Sequence, residues 1–184
     1  MIQPEKIEFK QNSYEDGENS IISFPEFLLL VLDVCTGGEQ PASHYQPDKL
    51  IEKFDALKTY FTAGEFYEKM LYYRLLLDYY TIRRDIKDGQ GNYSLILKGP
   101  KDDSDKLKQY QSMLYVSTEA FYNWLKPYLR KLEQDELHSC AEMLAFLKKE
   151  DNERHSILPA RKDLSYKASG NIRYWFWRLD YYLW

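Results

Sequence analysis

The segment from Thr62 to Tyr80 constrains the fold of this chain more than any other. Thr62 and Glu65 stand three residues apart, the spacing of a capping box at a helix start. Apolar residues then recur every three or four positions in two adjacent stripes: Phe66, Met70, Tyr73, Leu77 and Tyr80, beside Tyr67, Leu71 and Leu75. This periodicity predicts a long helix that is packed on both faces. Arg74 and Asp78, four residues apart, are predicted to pair along it.

Similar patterns predict further helices along the chain. One begins with Ser23 as its N-cap and Pro25 in its first turn, and it ends at Gly37-Gly38. Another opens at residues 46–48. Later helices are predicted over about residues 104–117, 118–132, 135–149 and 171–184, and Pro127 is expected to kink or shorten the second of these four.

Two regions depart from helical periodicity. Residues 1–20 are polar and acidic, which predicts a flexible tail or linker. Residues 88–92 break the pattern with Gly and Asp, and Tyr93 to Leu97 is predicted as a short strand. The fold class is therefore expected to be mostly α, a bundle of about six or seven helices with at most a short β-hairpin or strand near residues 88–98. Residues 21–184 are expected to form a single helical domain.

Composition limits the classes of function. A net charge of −4 argues against nucleic-acid binding through the overall charge of the chain, because DNA-binding domains usually carry a surplus of basic residues. The 17 tyrosines indicate a protein that forms interfaces, because tyrosine is enriched at contacts between proteins. Cys35 and Cys140 lie in apolar stretches without metal-ligand spacing, which predicts free thiols in a reducing compartment. The polar N-terminus and the shortness of the longest apolar run, residues 27–32, predict a cytoplasmic protein with no membrane association.

Candidate catalytic motifs are weak. His155 and Pro159 resemble part of the His-Pro segment of HNH nucleases. In those enzymes the His activates water beside a metal. No accompanying ligands are evident, so a surface loop is the preferred interpretation. Asp48 and Asp85 fit a PD-(D/E)xK nuclease template only loosely, because they fall on predicted helix ends. No catalytic, cofactor-binding or metal-binding residue is therefore predicted.

Two small basic groups are candidate DNA contacts: Arg83 with Arg84, and Arg130 with Lys131. In the functional interpretation these side chains contact phosphates. In the structural interpretation they are cations at helix C-termini, where the helix dipole favours them without any ligand. The acidic total favours the structural interpretation.

The last segment is apolar on two helical faces, which requires two partners. The face made of Ile172, Trp175, Phe176, Leu179, Tyr182 and Leu183 is expected to pack on the domain. The other face, a candidate interface, consists of Tyr174, Trp177, Tyr181 and Trp184. Because the sequence ends on tryptophan with no capping residue, the chain is expected to be a fragment of a larger protein.

Five stretches carry a resemblance to a known family. They are residues 21–29 (IISFPEFLL), 50–54 (LIEKF), 72–80 (YYRLLLDYY) leading to Arg83-Arg84-Asp85, 107–116 around QSML, and 173–184 (RYWFWRLDYYLW). In this order they resemble the helical region of GmrSD-like proteins, the modification-dependent type IV restriction family. That region lies between a ParB-like N-terminal domain and a C-terminal HNH nuclease domain. The resemblance covers about residues 21–184.

The resemblance implies membership without catalysis. The Asp-Gly-Gln-Arg type motif of the ParB-like domain is absent, and the Ile-Glu-His-x-x-Pro type motif of the nuclease would follow residue 184. The implied function is a non-catalytic module of a bacterial antiphage restriction protein, which couples catalytic domains and contacts DNA locally. Its implied partners are the missing flanking domains. The alternative is a stand-alone interaction module that docks a partner or a second copy through its Tyr/Trp surface. A metal-dependent nuclease using His155 is the third and weakest hypothesis.

Overall fold

A computed structural model describes residues 17–86, 92–101, 104–117, 119–157 and 172–183. Within these ranges the chain is mostly helical with a small sheet, which confirms the predicted fold class. The elements are β1 (Gly17–Ser20), α1 (Phe24–Cys35), α2 (Leu50–Leu57), α3 (Ala63–Tyr80), β2 (Ile82–Ile86), β3 (Tyr93–Leu97), α4 (Ser104–Val116), α5 (Phe121–Glu133), α6 (Cys140–Arg154) and α7 (Ile172–Leu183), with two short 3₁₀ helices at Ala42–His44 and Pro47–Lys49.

Capping residues define where the helices begin. Thr62 donates its backbone N–H to Glu65 Oε2 at 2.6 Å, and Thr62 Oγ1 accepts from the backbone N–H of Glu65 at 3.2 Å. The capping box predicted for α3 is confirmed, and Ser23 caps α1 in the same way. α6 begins later than predicted because Ser139 caps it. α5 continues through Pro127 to Glu133, so the proline does not end it.

The sheet adds two strands that were not predicted. β2 lies between β1 and β3, and both pairings are antiparallel. Gly17 pairs with Ile86, so the prediction of a flexible tail is wrong for residues 17–20. Residues 1–16 lie outside the described residues. Arg83 and Arg84 are strand residues of β2 rather than residues of a helix C-terminus. The predicted strand at Tyr93–Leu97 is confirmed as β3.

The core is built around α1. Five of the six residues at positions 27–32 of α1 are 0–1% exposed: Phe27, Leu29, Leu30, Val31 and Leu32. α1 packs on α2 and α3, α3 packs also on α5, and α5 packs on α6. α4 packs on both α6 and α7. Cys35 and Cys140 are free thiols, as predicted. In the described ranges no helix combines the length and the hydropathy needed to cross a bilayer.

α3 buries only one of its two apolar stripes. Phe66, Tyr73 and Leu77 are in the core, whereas Tyr67, Leu71 and Leu75 are 61%, 62% and 68% exposed. In the single chain the second stripe is not packed, so the prediction that both faces of α3 are packed is wrong. The predicted pair is confirmed, since Arg74 Nε lies 2.8 Å from Asp78 Oδ2.

Candidate functional site

A buried carboxylate on α6 organises the contact between α4, α6 and α7. Asp151 is fully buried. The hydroxyl of Tyr110 on α4 donates to Asp151 Oδ2 at 2.6 Å, and the hydroxyl of Tyr174 on α7 donates to Oδ1 at 2.7 Å. Arg178 Nη1 lies 3.6 Å from Asp151 Oδ2. With His155, these residues form what we call the Asp151 cluster. Because a buried carboxylate is tolerated only when its oxygens are hydrogen-bonded, the cluster fixes three helices at one point.

His155 belongs to this cluster rather than to a surface loop. Its ring stacks on Tyr174 with centroids 3.9 Å apart, and its Nδ1 lies 3.2 Å from Asp151 Oδ1. Its Nε2 lies 3.7 Å from Glu119 Oε2, and the His155 side chain is only 12% exposed. The surface-loop interpretation is therefore wrong. The other part of the nuclease hypothesis, Pro159, lies outside the described residues. Among those described, no group of three or more His, Cys, Asp or Glu could hold a metal ion.

The pKa values of the Asp151 cluster favour an ionised carboxylate that accepts hydrogen bonds from neutral tyrosine hydroxyls. Burial raises the pKa of Asp151, but hydrogen bonds from His155, Tyr110 and Tyr174 outweigh it and hold the pKa below its usual value. Burial, followed by hydrogen bonding to Asp151, raises the pKa of the two tyrosines. The carboxylate therefore stays ionised and both phenols stay protonated at neutral pH.

Cation–aromatic contacts reinforce the inward face of α7. The Arg178 guanidinium lies 5.4 Å from the Trp175 ring centre, and its Nη1 donates to the Tyr174 hydroxyl at 2.7 Å. On α6, the Lys148 ammonium lies 5.3 Å from the Tyr181 ring centre. Such contacts require a defined orientation of both groups, so they fix the rotation of α7 about its own axis.

The outward face of α7 carries large apolar side chains. The exposed residues are Phe176 (57%), Trp177 (39%), Leu179 (54%), Tyr182 (54%) and Leu183 (75%), and we call them the α7 face. Beside this face, an open cleft of about 500 Å³ between α4 and α7 is lined by Met113, Val116, Trp177 and Tyr181, together with five polar residues.

The division of α7 into two faces differs from the prediction. Tyr174 is buried and Tyr181 is half-buried against the domain, so these two candidate interface residues face inward. Trp177 is exposed as expected of an interface residue, and Trp184 lies outside the described residues. Most of the face that was expected to pack inward is the exposed one. The reason is that the polar anchors at Tyr174 and Arg178, rather than apolar area, set the rotation of the helix.

The candidate DNA contacts are all engaged within the chain. Arg83 Nη1 lies 3.7 Å from Asp78 Oδ1, and Arg84 donates to the backbone carbonyl of Ser20 at 2.9 Å. Of the other two candidates, Arg130 donates to the Gly38 carbonyl and Lys131 pairs with Glu136. These contacts favour a structural role for the four residues. DNA contact through them stays a prediction.

A second buried carboxylate was not predicted from the sequence. Asp33 is fully buried on α1, where the Tyr45 hydroxyl and the Lys126 ammonium both donate to its Oδ2, the latter at 3.0 Å. The backbone N–H of Gln40 donates to Oδ1 at 2.8 Å. The only sequence signal was a charged residue in the apolar stretch of α1 that follows Glu26. This site joins α1, the following loop and α5.

His44 next to this site is expected to make the chain acid-sensitive. Its Nε2 lies 2.9 Å from the Leu29 carbonyl, and its Nδ1 is buried with no hydrogen-bond partner among the described residues. Burial lowers the pKa of His44 from its ordinary value of 6.5. The unfolded chain therefore binds a proton below about pH 6.5 that the folded chain resists. The stabilisation is present above that pH and is lost as pH falls toward the lower pKa of the folded state.

Urea unfolding at pH 7.5 and pH 5.5 tests this prediction. We expect the free energy of unfolding to fall with pH less steeply in His44→Gln, whose amide can still donate to Leu29 but does not titrate. The exposed His138, replaced by Gln, is the matched control and should leave the pH dependence as it is in the original chain. Equal pH dependence in the original chain and in His44→Gln would contradict the prediction.

Comparisons of this chain with family models, with curated proteins and with solved structures found no match. The resemblance to GmrSD-like proteins therefore rests on the five sequence stretches alone.

Proposed function

We propose that this chain is a non-catalytic helical module that docks a neighbouring protein domain on the α7 face. One observation carries the proposal: α7 is fixed in rotation by the Asp151 cluster, yet it exposes five large apolar side chains. A helix held this firmly would not expose Trp177 and Leu183 at a cost in solubility unless another surface covers them.

The composition of the α7 face supports protein docking over other uses. Trp and Tyr are enriched among the residues that dominate binding energy at interfaces, and here they stand next to leucines that can fill a partner's pockets. The cleft beside Trp177 gives a partner side chain a place to insert. Arg173 and Asp180 are exposed on the same side of α7, one of each charge. This side of the helix therefore has no basic surplus, and its chemistry fits a protein surface better than a phosphate backbone.

The family resemblance supplies the identity of the partner. In GmrSD-like proteins an HNH nuclease domain follows the helical region, so we propose that such a domain covers the α7 face. The chain would then be a cytoplasmic coupling module of a bacterial DNA-restriction protein. The docking part of the proposal is supported by the contacts of α7, and the restriction part is supported by the sequence resemblance.

Photo-crosslinking in the cells that naturally make the protein tests both parts. A photo-crosslinking amino acid replaces Leu179. The expected result is a crosslink to one defined protein segment, lost when Leu183→Glu is added. The same crosslinker at Ile51 on α2, which is 79% exposed, is the matched control and should give no such product. A crosslinked peptide from an HNH nuclease domain supports the full proposal. A different defined partner overturns the restriction part, and no specific crosslink overturns docking itself.

A further inference from the structure

We infer that a second copy of this chain covers the exposed row of α3. The α3 row consists of Tyr67, Leu71, Leu75 and Tyr79, which are 61%, 62%, 68% and 45% exposed. This surface is separate from the α7 face, and the inference does not rest on the proposed function.

The spacing of the α3 row is that of one packing ridge. Its members follow one another at intervals of four residues and extend over about 18 Å of helix. Ridges with this spacing interdigitate with ridges of the same spacing when two helices cross at about −50°. A second copy presents an identical row, so a two-fold axis between Leu71 and Leu75 lets each row fill the grooves beside the other.

The charged residues that flank the row already have partners inside the chain. Arg74 pairs with Asp78 at 2.8 Å, and Lys69 on the other side pairs with Glu133 of α5. The row can therefore be covered without stranding either cation, which would be costly. Glu68 is about 60° round the helix from Leu71, at the edge of the contact where water reaches its carboxylate.

The exposed area of the α3 row is large enough for a weak contact between two copies. The four side chains of the row present on the order of 500 Å² if each large side chain has about 200 Å². Two copies would then bury on the order of 1,000 Å² in total, which is the size of a weak, reversible interface rather than of a permanent dimer. The row is also uncharged, so it offers nothing that would select a charged partner over a copy of itself.

Sedimentation velocity of the full chain over a concentration series tests the inference. We expect a reversible monomer–dimer equilibrium that Leu71→Glu shifts at least tenfold toward monomer. Ile51→Glu, at an exposed apolar position on α2, is the control and should leave the equilibrium unchanged. Because Leu71 is exposed, its replacement should leave the far-UV circular dichroism of the chain unaltered, which separates loss of dimer from loss of fold.

A crosslinking experiment locates the contact. In a Cys35→Ser background, Leu71→Cys should give a covalent dimer with a short bismaleimide, whereas Ile51→Cys should not. A chain that stays monomeric at all concentrations overturns the inference. A dimer that survives Leu71→Glu but is lost in Leu179→Glu also overturns it, because the contact would then lie on the α7 face and not on α3.

Discussion

Replacing Asp151 by asparagine is expected to lower the free energy of unfolding by about 3–5 kcal/mol. Asp151 is fully buried and accepts hydrogen bonds from Tyr110 and Tyr174. The substitution keeps the shape of the side chain but leaves the Arg178 guanidinium, 3.6 Å away, without its counter-charge. It also places an amide donor where several donors already converge. Urea unfolding followed by circular dichroism measures the effect.

Hydrogen exchange of residues 172–183 should show where the stability is lost. In Asp151→Asn, the amides of α7 are expected to exchange faster than those of α1, because the cluster is the polar anchor of α7. Glu153→Gln is the matched control: it lies on the same helix, its side chain is 63% exposed, and we expect a change within about 0.5 kcal/mol. Equal stability of the two variants would show that the Asp151 cluster does not hold α7.

The second large effect is expected at Asp33. Asp33→Asn removes the counter-charge of the Lys126 ammonium, whose side chain is only 16% exposed, and we again expect a loss of about 3–5 kcal/mol. Lys126→Met should cost less than Asp33→Asn, because Asp33 still accepts from Tyr45 and from the backbone N–H of Gln40. Both are measured by urea unfolding at pH 7.5.

A double-variant cycle separates the ion pair from the rest of the Asp33 site. The destabilisation of the Asp33→Asn, Lys126→Met chain should be smaller than the sum of the two single effects, by about 0.5–3 kcal/mol. The reason is that the double variant leaves no buried charge behind. Lys58→Met, which breaks an exposed pair with Asp55, provides a matched control for removing a lysine and should change stability little. Strict additivity would mean that Asp33 and Lys126 act independently.

The helices could be predicted because their signals are local. The residues of the capping boxes at Ser23 and Thr62 stand three positions apart, and the apolar spacing that follows them lies on one helix. The buried polar sites could not be predicted in this way. Asp151 and Tyr110 are 41 residues apart in sequence, and Asp33 and Lys126 are 93 apart, so nothing near either aspartate identifies these distant partners.

Both errors arose because apolar patterns were used where backbone pairing or polar contacts determine the structure. β2 was missed because Arg83, Arg84 and Asp85 interrupt its two buried isoleucines, and backbone pairing rather than apolar alternation holds it in place. The two faces of α7 were assigned by apolar content, but polar contacts at Tyr174 and Arg178 decide which face turns inward. The family resemblance gave no geometric information, and it stays a hypothesis.

The pairing of β1 with β2 bears on how the protein can be shortened. A version beginning at residue 21, the start of the predicted helical domain, would lose the strand that pairs with Arg83 to Ile86. It would also lose the Ser20 carbonyl to which Arg84 donates. β2 would then become an uncovered edge whose free N–H and C=O groups recruit strands from other molecules. Shortened versions that retain residue 17 should therefore stay dispersed at concentrations at which those starting at residue 21 aggregate.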